Sequence, residues 1–157
     1  MSTRTTQHSY TIKETAALIG LPASTLRYYE SIGVIAPISR GASSGHRVYG
    51  EDDLDQLMWV ACLAATGMSV SDMRTYISNG GHGAAKAREQ VELLEQQERR
   101  LAIEAEQVAL RQRYVQLKIG YWNAIDAGDQ AHAAALSDEA YALADQLKQT
   151  KRNEERR

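Results

Sequence analysis

The sequence predicts a mainly α-helical protein with three parts: a winged helix-turn-helix, a long coiled-coil helix and a short C-terminal helix. Two short helix signals separated by a glycine predict the helix-turn-helix near the amino terminus. A stretch rich in glycine and serine follows them and predicts the wing. Further on, a long run without helix breakers carries apolar residues at heptad spacing, which predicts the coiled-coil helix.

The first two helices are marked by their end signals. Thr11 is followed three residues later by Glu14, which is the pattern of a capping box, and Gly20 is expected to end that helix. Pro22 is expected at the first position of the second helix, and Gly33 is expected to end it. Two helices joined by so short a turn form a helix-turn-helix.

The segment 37–50 predicts a wing. It contains three glycines, three serines and two arginines, which favours a flexible tip. Ile38 on one side and Val48 with Tyr49 on the other are expected to form two short strands.

Two more helices are expected after the wing. Three acidic residues at 51–53 offset the dipole of a helix that should run to about Ala65. Gly67 separates it from the next helix, which Ser69 caps with Asp72 three residues on.

From Ala84 to about Ile119 no residue breaks a helix, so this helix should be about 50 Å long at 1.5 Å per residue. Ten positions at alternating gaps of four and three form a heptad seam, and eight of them are apolar. A second copy of the chain is the simplest partner for the seam; a hairpin with a helix over 130–147 is the alternative. The seam consists of Ala87, Val91, Leu94, Glu98, Leu101, Ala105, Val108, Gln112, Val115 and Ile119.

Composition limits the function classes. The net charge is −2, but the first fifty residues hold five Lys or Arg and two acids, which permits an anionic partner for this part. A single cysteine excludes an internal disulfide and a cysteine-cluster or iron–sulfur site, and the four histidines share no metal-ligand spacing, so no cofactor or metal is expected. No signal peptide or membrane-spanning run is visible, which predicts a cytoplasmic protein with no membrane partner. No acid–base pair, nucleophile–base set or cofactor loop supports an enzyme.

Two pairs of cation and phenol point to nucleic acid. Arg27, Tyr28 and Tyr29 are consecutive and point about 100° apart on a helix, so one tyrosine should face outward beside the arginine and the other inward. Arginine can bind guanine edges or phosphates, and a tyrosine hydroxyl can donate to phosphate. Arg47 and Tyr49 repeat this pair on the wing.

The stretches "YTIKETAALIGLPASTLRYYESIGVI", "GHRVYGEDDLDQL" and "TGMSV" resemble the MerR family of transcription regulators in order and spacing. The resemblance implies a winged helix-turn-helix, an antiparallel coiled-coil homodimer and a pseudo-palindromic operator in double-stranded promoter DNA. It further implies that the dimer works with RNA polymerase and distorts the promoter, which is indirect readout used as a switch. The DNA-contacting positions that it implies are Ser24, Thr25, Arg27, Tyr28, Arg40, His46, Arg47 and Tyr49. The family usually has serine and proline before the recognition helix, whereas Pro22 and Ala23 stand here, so the side-chain cap is lost.

Cys62, in "MWVACLAATGM", is the candidate sensor, because this stretch resembles the aldehyde- and electrophile-responsive NmlR/AdhR-like subgroup. A sensing thiolate needs access to solvent, and the alternative is a buried structural cysteine. Tyr114, Tyr121 and Trp122 are a candidate pocket for a small-molecule effector, with plain packing as the alternative.

Three function classes stay open: a regulator that activates or represses in response to an electrophile or a hydrophobic molecule, a DNA-binding repressor or architectural protein without an effector, and an enzyme or coiled-coil adaptor.

The predicted boundaries are a disordered N-terminus over 1–9, a DNA-binding domain over 10–78, a glycine-rich link over 79–83, a dimerisation helix over 84–120, a C-terminal effector region over 121–149 and a disordered tail over 150–157.

Overall fold

The computed structural model describes residues 8–156, so most of the predicted disordered N-terminus, 1–9, lies outside the described residues. The chain divides into two compact units, an amino-terminal unit up to Gln97 and a carboxy-terminal unit from Glu98 onward. The mainly α-helical fold is confirmed. The helices are α1 (Ile12–Ile19), α2 (Ala23–Ser31), α3 (Glu51–Ala65), α4 (Val70–Gly80), a short 3-10 helix (Gly83–Lys86), α5 (Ala87–Asp126), α6 (Gln130–Ala142) and α7 (Ala144–Glu155).

The ends of α1 and α2 follow from local chemistry. The side chain of Thr11 accepts the N–H of Glu14, and the Glu14 carboxylate accepts the N–H of Thr11, which confirms the capping box. Gly20 ends α1 in the left-handed region at φ +77, where a residue with a Cβ would be strained. Pro22 occupies the capping position of α2, one residue before the predicted place, and provides no side-chain cap.

The wing, residues 37–50, is a loop and not a pair of strands, so the prediction of two short strands is wrong. Within residues 8–156 the structure has only isolated bridges, one joining Arg40 to Arg47 and one joining Tyr10 to Tyr49. The proline, serines and glycines of this segment lie close together, and proline and glycine disfavour the regular hydrogen bonding between two strands. The backbone N–H of Tyr10 and that of Tyr49 each donate to the other residue's carbonyl at 2.9 Å, which joins the wing to the entrance of α1.

The core of the amino-terminal unit combines all of its main elements. Helices α2, α3 and α4, the turn after α2 and both limbs of the wing contribute buried side chains to one cluster. Helix α1 packs against this cluster through Ile12, Ala16 and Ile19. The wing is thereby anchored through Ile38 and Tyr49. The buried members of the cluster are Leu26, Tyr29, Val34, Ile35, Ile38, Tyr49, Leu57, Val60, Met68 and Met73.

The break before α5 is shorter than the predicted link at 79–83, because α4 continues through Gly80 and the 3-10 helix starts at Gly83. Helix α5 passes the predicted end near 120 and stops at Asp126. Gly120 lies within the helix, where it leaves room for Leu136, and Gly128, with φ +74, follows the helix end. Most of the tail predicted as disordered, 150–157, belongs to α7, because its Lys, Arg and Glu residues favour helix.

In the carboxy-terminal unit, α6 lies against the last part of α5. A Cβ on Gly120 would come within 3.0 Å of Leu136 Cδ1, and Arg113 pairs with Glu139 at 2.9 Å. Leu117 is buried in this unit, whereas the seam residues of the same unit stay exposed. The intramolecular hairpin therefore does not cover the seam, contrary to the alternative considered above. The exposed seam residues of the carboxy-terminal unit include Leu101, Val108, Val115 and Ile119.

Bilayer spanning requires a long apolar helix, and within residues 8–156 none of the helices meets that requirement.

Candidate nucleic-acid interface

Helix α2 places its four central side chains on two faces. Leu26 and Tyr29, three residues apart, are buried in the core. Arg27 and Tyr28 face outward, and Tyr28 is 51% exposed. The prediction that one tyrosine packs inward while the other accompanies the arginine at the surface is confirmed.

The structure gathers cations from three elements around one hollow of about 280 Å³, here called the basic concavity. The first turn of α1, the outer face of α2 and the wing each contribute. Four Lys or Arg side chains with a histidine between them produce a positive surface, which is the electrostatic footprint of a phosphate-binding face. Its lining residues are Thr11, Ile12, Lys13, Arg27, Arg40, His46 and Arg47.

Lys13 is the residue of this surface that the sequence analysis missed. It occupies the first turn of α1, where a cation opposes the helix dipole and an acid is the favoured choice. Only the structure shows that α1 begins beside α2 and the wing.

Glu30, at the end of α2, holds the wing. Its Oε1 accepts a hydrogen bond from Arg47 Nε at 2.7 Å, and its Oε2 accepts the backbone N–H of Ile38 at 3.3 Å. Burial raises the pKa of the Glu30 carboxyl, but the hydrogen bonds from Arg47 and Ile38, with the charges of Arg47 and Arg40, more than offset it, so the pKa lies below its ordinary value. Glu30 is therefore the anionic partner of the wing cations.

The tip of the wing is held by its own backbone. Arg40 Nη1 donates to the carbonyl of Gly45 at 3.1 Å, and Gly41 donates its N–H to the His46 carbonyl at 2.9 Å. Gly45 has φ +68, so this turn requires a glycine. The result is a compact tip that leaves the His46 side chain exposed.

Tyr49 does not lie at this surface. Its side chain is fully buried, burial raises its pKa, and its hydroxyl has no hydrogen-bond partner within the described part of the chain. The prediction that Tyr49 contacts DNA is wrong for this structure, because the ring is needed to anchor the wing in the core. Ser24 is exposed and Thr25 is partly buried in the first turn of α2, so both stay near the amino end of that helix.

Cys62 lies on the outer face of α3 and is exposed. One turn earlier, Met58 and Trp59 are 48% and 67% exposed, whereas Leu57 and Val60 face the core. Within the single chain Cys62 is therefore not a core residue, and its role as a sensor stays a prediction. In the region that the structure describes, no group of three or more His, Cys, Asp or Glu residues is arranged to hold a metal ion.

The three aromatic residues of the candidate effector pocket lie close together on α5. Lys118 Nζ lies 5.6 Å from the ring centroid of Tyr114 and 5.9 Å from that of Tyr121, at cation–π distance. The rings of Tyr121 and Trp122 are nearly perpendicular with centroids 5.2 Å apart, and Trp122 is 65% exposed. The cluster is thus a surface stripe centred on a lysine, and its role in effector binding stays a prediction.

Comparison with known proteins places these features in a family. Residues 10–80 match the MerR HTH family regulatory proteins. The HTH-type transcriptional regulator AdhR of Bacillus subtilis (strain 168) is 38% identical over 65 residues, which are 41% of this chain and 46% of AdhR. The chain thus spans about half the length of that relative.

Two further matches cover most of the other chain. An uncharacterized HTH-type transcriptional regulator of Haemophilus influenzae (strain ATCC 51907 / DSM 11121 / KW20 / Rd) is 31% identical over 109 residues, covering 69% of this chain and 78% of the relative. The crystal structure of HiNmlR, a MerR family regulator lacking the sensor domain and bound to promoter DNA, matches with a TM-score of 0.64 at 25% identity. The match covers 82% of this chain and 96% of the HiNmlR chain. These proteins are regulators and not enzymes. The helix-turn-helix, its wing and the long helix after them, together with these matches, show that the chain belongs to the MerR family of transcription regulators.

Proposed function

We propose that the protein binds double-stranded promoter DNA as a homodimer and regulates transcription from a pseudo-palindromic operator. The observation that carries this proposal is the basic concavity, which is built from α1, α2 and the wing. A positive surface to which three separate elements contribute can contact several phosphates of a duplex, and phosphate contacts supply a large share of the affinity for DNA. The similar structure of HiNmlR is bound to promoter DNA, which supports a DNA-binding function for this chain as well.

Within this surface the cations have different roles. Arg27 stands on the outer face of α2, the proposed recognition helix, and can read a guanine edge in the major groove. Lys13, Arg40 and Arg47 flank it on α1 and the wing and contact phosphates. Ser24 and Thr25 add short hydroxyls in the first turn of α2, where a helix terminus favours a phosphate.

The exposed heptad seam supports the homodimer. Val108, Val115 and Ile119 are more than half exposed, although they lie at core positions of a coiled-coil pattern. An apolar stripe of this length on a single helix needs a partner of the same repeat, and a second α5 running antiparallel supplies it. Two recognition helices related by a two-fold axis then match two half-sites of a palindrome.

Regulation would follow from the shape of the bound DNA. A dimer that grips two half-sites can bend and untwist the spacer between them, which changes how RNA polymerase meets the two promoter elements. The same grip without an activating effector represses. This part of the proposal rests on the family and on the dimer, and it names RNA polymerase as the second macromolecular partner.

The test uses duplexes selected by the wild-type protein from a random library about 30 bp long, which is enough for two half-sites. Arg27→Ala should weaken binding to the selected duplex by about 10- to 100-fold and relax base choice at one position per half-site. Arg74→Ala, which removes an exposed arginine of α4 outside the basic concavity, is the matched control and should bind as the wild type does. Equal binding by Arg27→Ala and the control would contradict the assignment.

For the effector we propose an aldehyde or another electrophile that reacts with Cys62. The exposure of this thiol beside Trp59 provides the access that such chemistry needs. With an aldehyde, the thiolate sulfur forms a bond to the carbonyl carbon, and the oxygen takes the electron pair and then a proton.

Cys62→Ser should abolish an aldehyde-induced change in promoter output and leave the affinity for the selected duplex unchanged. The measurement is a reporter assay with formaldehyde as the probe, beside a binding isotherm. Induction that persists in Cys62→Ser removes the thiol from the mechanism and directs attention to Tyr114, Tyr121 and Trp122 as a site for a hydrophobic effector.

A further inference from the structure

We propose that Glu30 is a positioning residue that sets the selectivity of DNA binding by holding Arg47 and the wing against helix α2. This inference rests on the proposed function and deepens it. It concerns a residue that does not touch DNA and acts through Arg47.

The first support is the geometry of the carboxylate, whose two oxygens hold different limbs of the wing. Oε1 takes Arg47 on the returning limb at 2.7 Å, and Oε2 takes the N–H of Ile38 on the outgoing limb at 3.3 Å. The side chains of Arg47 and Glu30 are only 20% and 14% exposed. One residue at the end of the recognition helix thus fixes both limbs relative to that helix.

The second support is the atom of Arg47 that the ion pair uses. The bond engages Nε, so the two Nη groups are not needed for it, and Arg47 also lines the basic concavity. A guanidinium held in this way is already oriented, whereas a loose one can follow any phosphate. A fixed phosphate contact sets the register in which α2 enters the groove, and register determines which bases the helix meets.

The third support is the sign of the charge. The first fifty residues contain two acids, and Glu14 is engaged at the cap of α1. Glu30 is the acid that faces the wing cations Arg40 and Arg47. A carboxylate at a phosphate-binding face weakens binding to every DNA sequence. It raises selectivity if it weakens non-specific binding more than specific binding, and this is the role that we assign to Glu30.

A purely structural brace would have the same contacts, so the test must measure selectivity. The probes are the duplex selected by the wild type and a shuffled duplex of the same base composition, each titrated by fluorescence anisotropy over a series of salt concentrations. The variants are Glu30→Gln, Arg47→Ala and the double variant. Asp55→Asn, which removes an exposed carboxylate from α3, is the matched control for charge.

Glu30→Gln should bind the shuffled duplex more tightly, with a log–log salt slope steeper by up to about 1, because Arg47 is released to the phosphates. The ratio of the two affinities should fall by about threefold or more, since non-specific binding gains and register is lost. On the Arg47→Ala background the same change should leave the ratio as it is, because Glu30 acts through Arg47. Asp55→Asn should keep the wild-type ratio.

An unchanged ratio and slope for Glu30→Gln would overturn the inference, and so would an equal loss of affinity for both duplexes, which indicates a brace alone. If Glu30→Gln does not fold, Glu30→Asp retains the charge but is too short to hold both limbs. It should lower the ratio without a steeper slope, and a wild-type ratio in that variant would also overturn the inference.

A wild-type protein that enriches no duplex overturns the proposed function, and that result is visible before any variant is tested.

Discussion

The core cluster of the amino-terminal unit and the α5 seam of the carboxy-terminal unit place similar apolar side chains in opposite environments. In the amino-terminal unit, residues such as Leu26, Leu57 and Val60 are fully buried in one shared core. In the carboxy-terminal unit, Val108 and Val115 on α5 are 55% exposed. The residue types are alike, so hydrophobicity alone does not decide burial. The difference shows that the members of the core cluster cover one another within a single chain, whereas the seam on α5 presents apolar side chains that another surface can cover.

The largest expected effect tests the first half of this comparison. Leu57→Ala removes a fully buried side chain from the core of the amino-terminal unit and should lower the free energy of unfolding by about 2–5 kcal/mol. Chemical denaturation followed by circular dichroism measures it. Leu18→Ala, at a position that is 56% exposed on α1, is the control and should change the free energy of unfolding little. Similar losses in both variants would show that the cluster is not the core.

A change of intermediate size tests the second half. Val108→Glu places a charge on the heptad seam of each copy and should weaken self-association by about 10- to 100-fold, because two unpaired carboxylates would meet an apolar interface. Helicity should be retained, since position 108 is exposed within a single chain. Sedimentation equilibrium over a range of concentrations provides the measurement. Glu104→Gln offers a comparison at an exposed α5 position outside the seam, and unaltered association of Val108→Glu would remove the seam from the interface.

The smallest expected effect concerns the ion pair of the amino-terminal unit. The pKa of Glu30 is lower in the folded chain, so its stabilising contribution is present above the unfolded pKa and is lost as pH falls through the folded value. The free-energy difference between the wild type and Glu30→Gln should therefore shrink as the pH falls below about 4.3, the ordinary pKa of a glutamate. Denaturation of both proteins at several pH values measures it, and a constant difference would show that the charge does not contribute.

Features that depend on neighbours in the chain were predictable. The capping box of Thr11 and Glu14, the stop at Gly20 and the cap of α4 by Ser69 are contacts over three or four residues, and the structure confirms them. The split of Tyr28 and Tyr29 between surface and core follows from the 100° step of a helix. The wing was placed correctly, but its strands were not, because ladder formation depends on what pairs with each limb.

Features that depend on residues far apart in the chain were not predictable. Helix α3 carries apolar residues on all sides, so its sequence pattern does not show which face is buried. In the structure Leu57 faces the core, whereas Trp59 and Cys62 are exposed. The place of Tyr49 beside Arg47 predicts a contact with DNA, whereas the structure buries its side chain in the core. Lys13 has no local sign of its partners.

By itself the sequence determined the family, the apolar seam, most of the helices and the ends of α1, because these depend on short-range hydrogen bonding and on residue period. Only the tertiary structure decided that three elements meet in the basic concavity and that Glu30 reaches Arg47, seventeen positions away in the chain. Such meetings depend on how helices pack around a shared core, and packing selects among faces that are chemically similar along the chain.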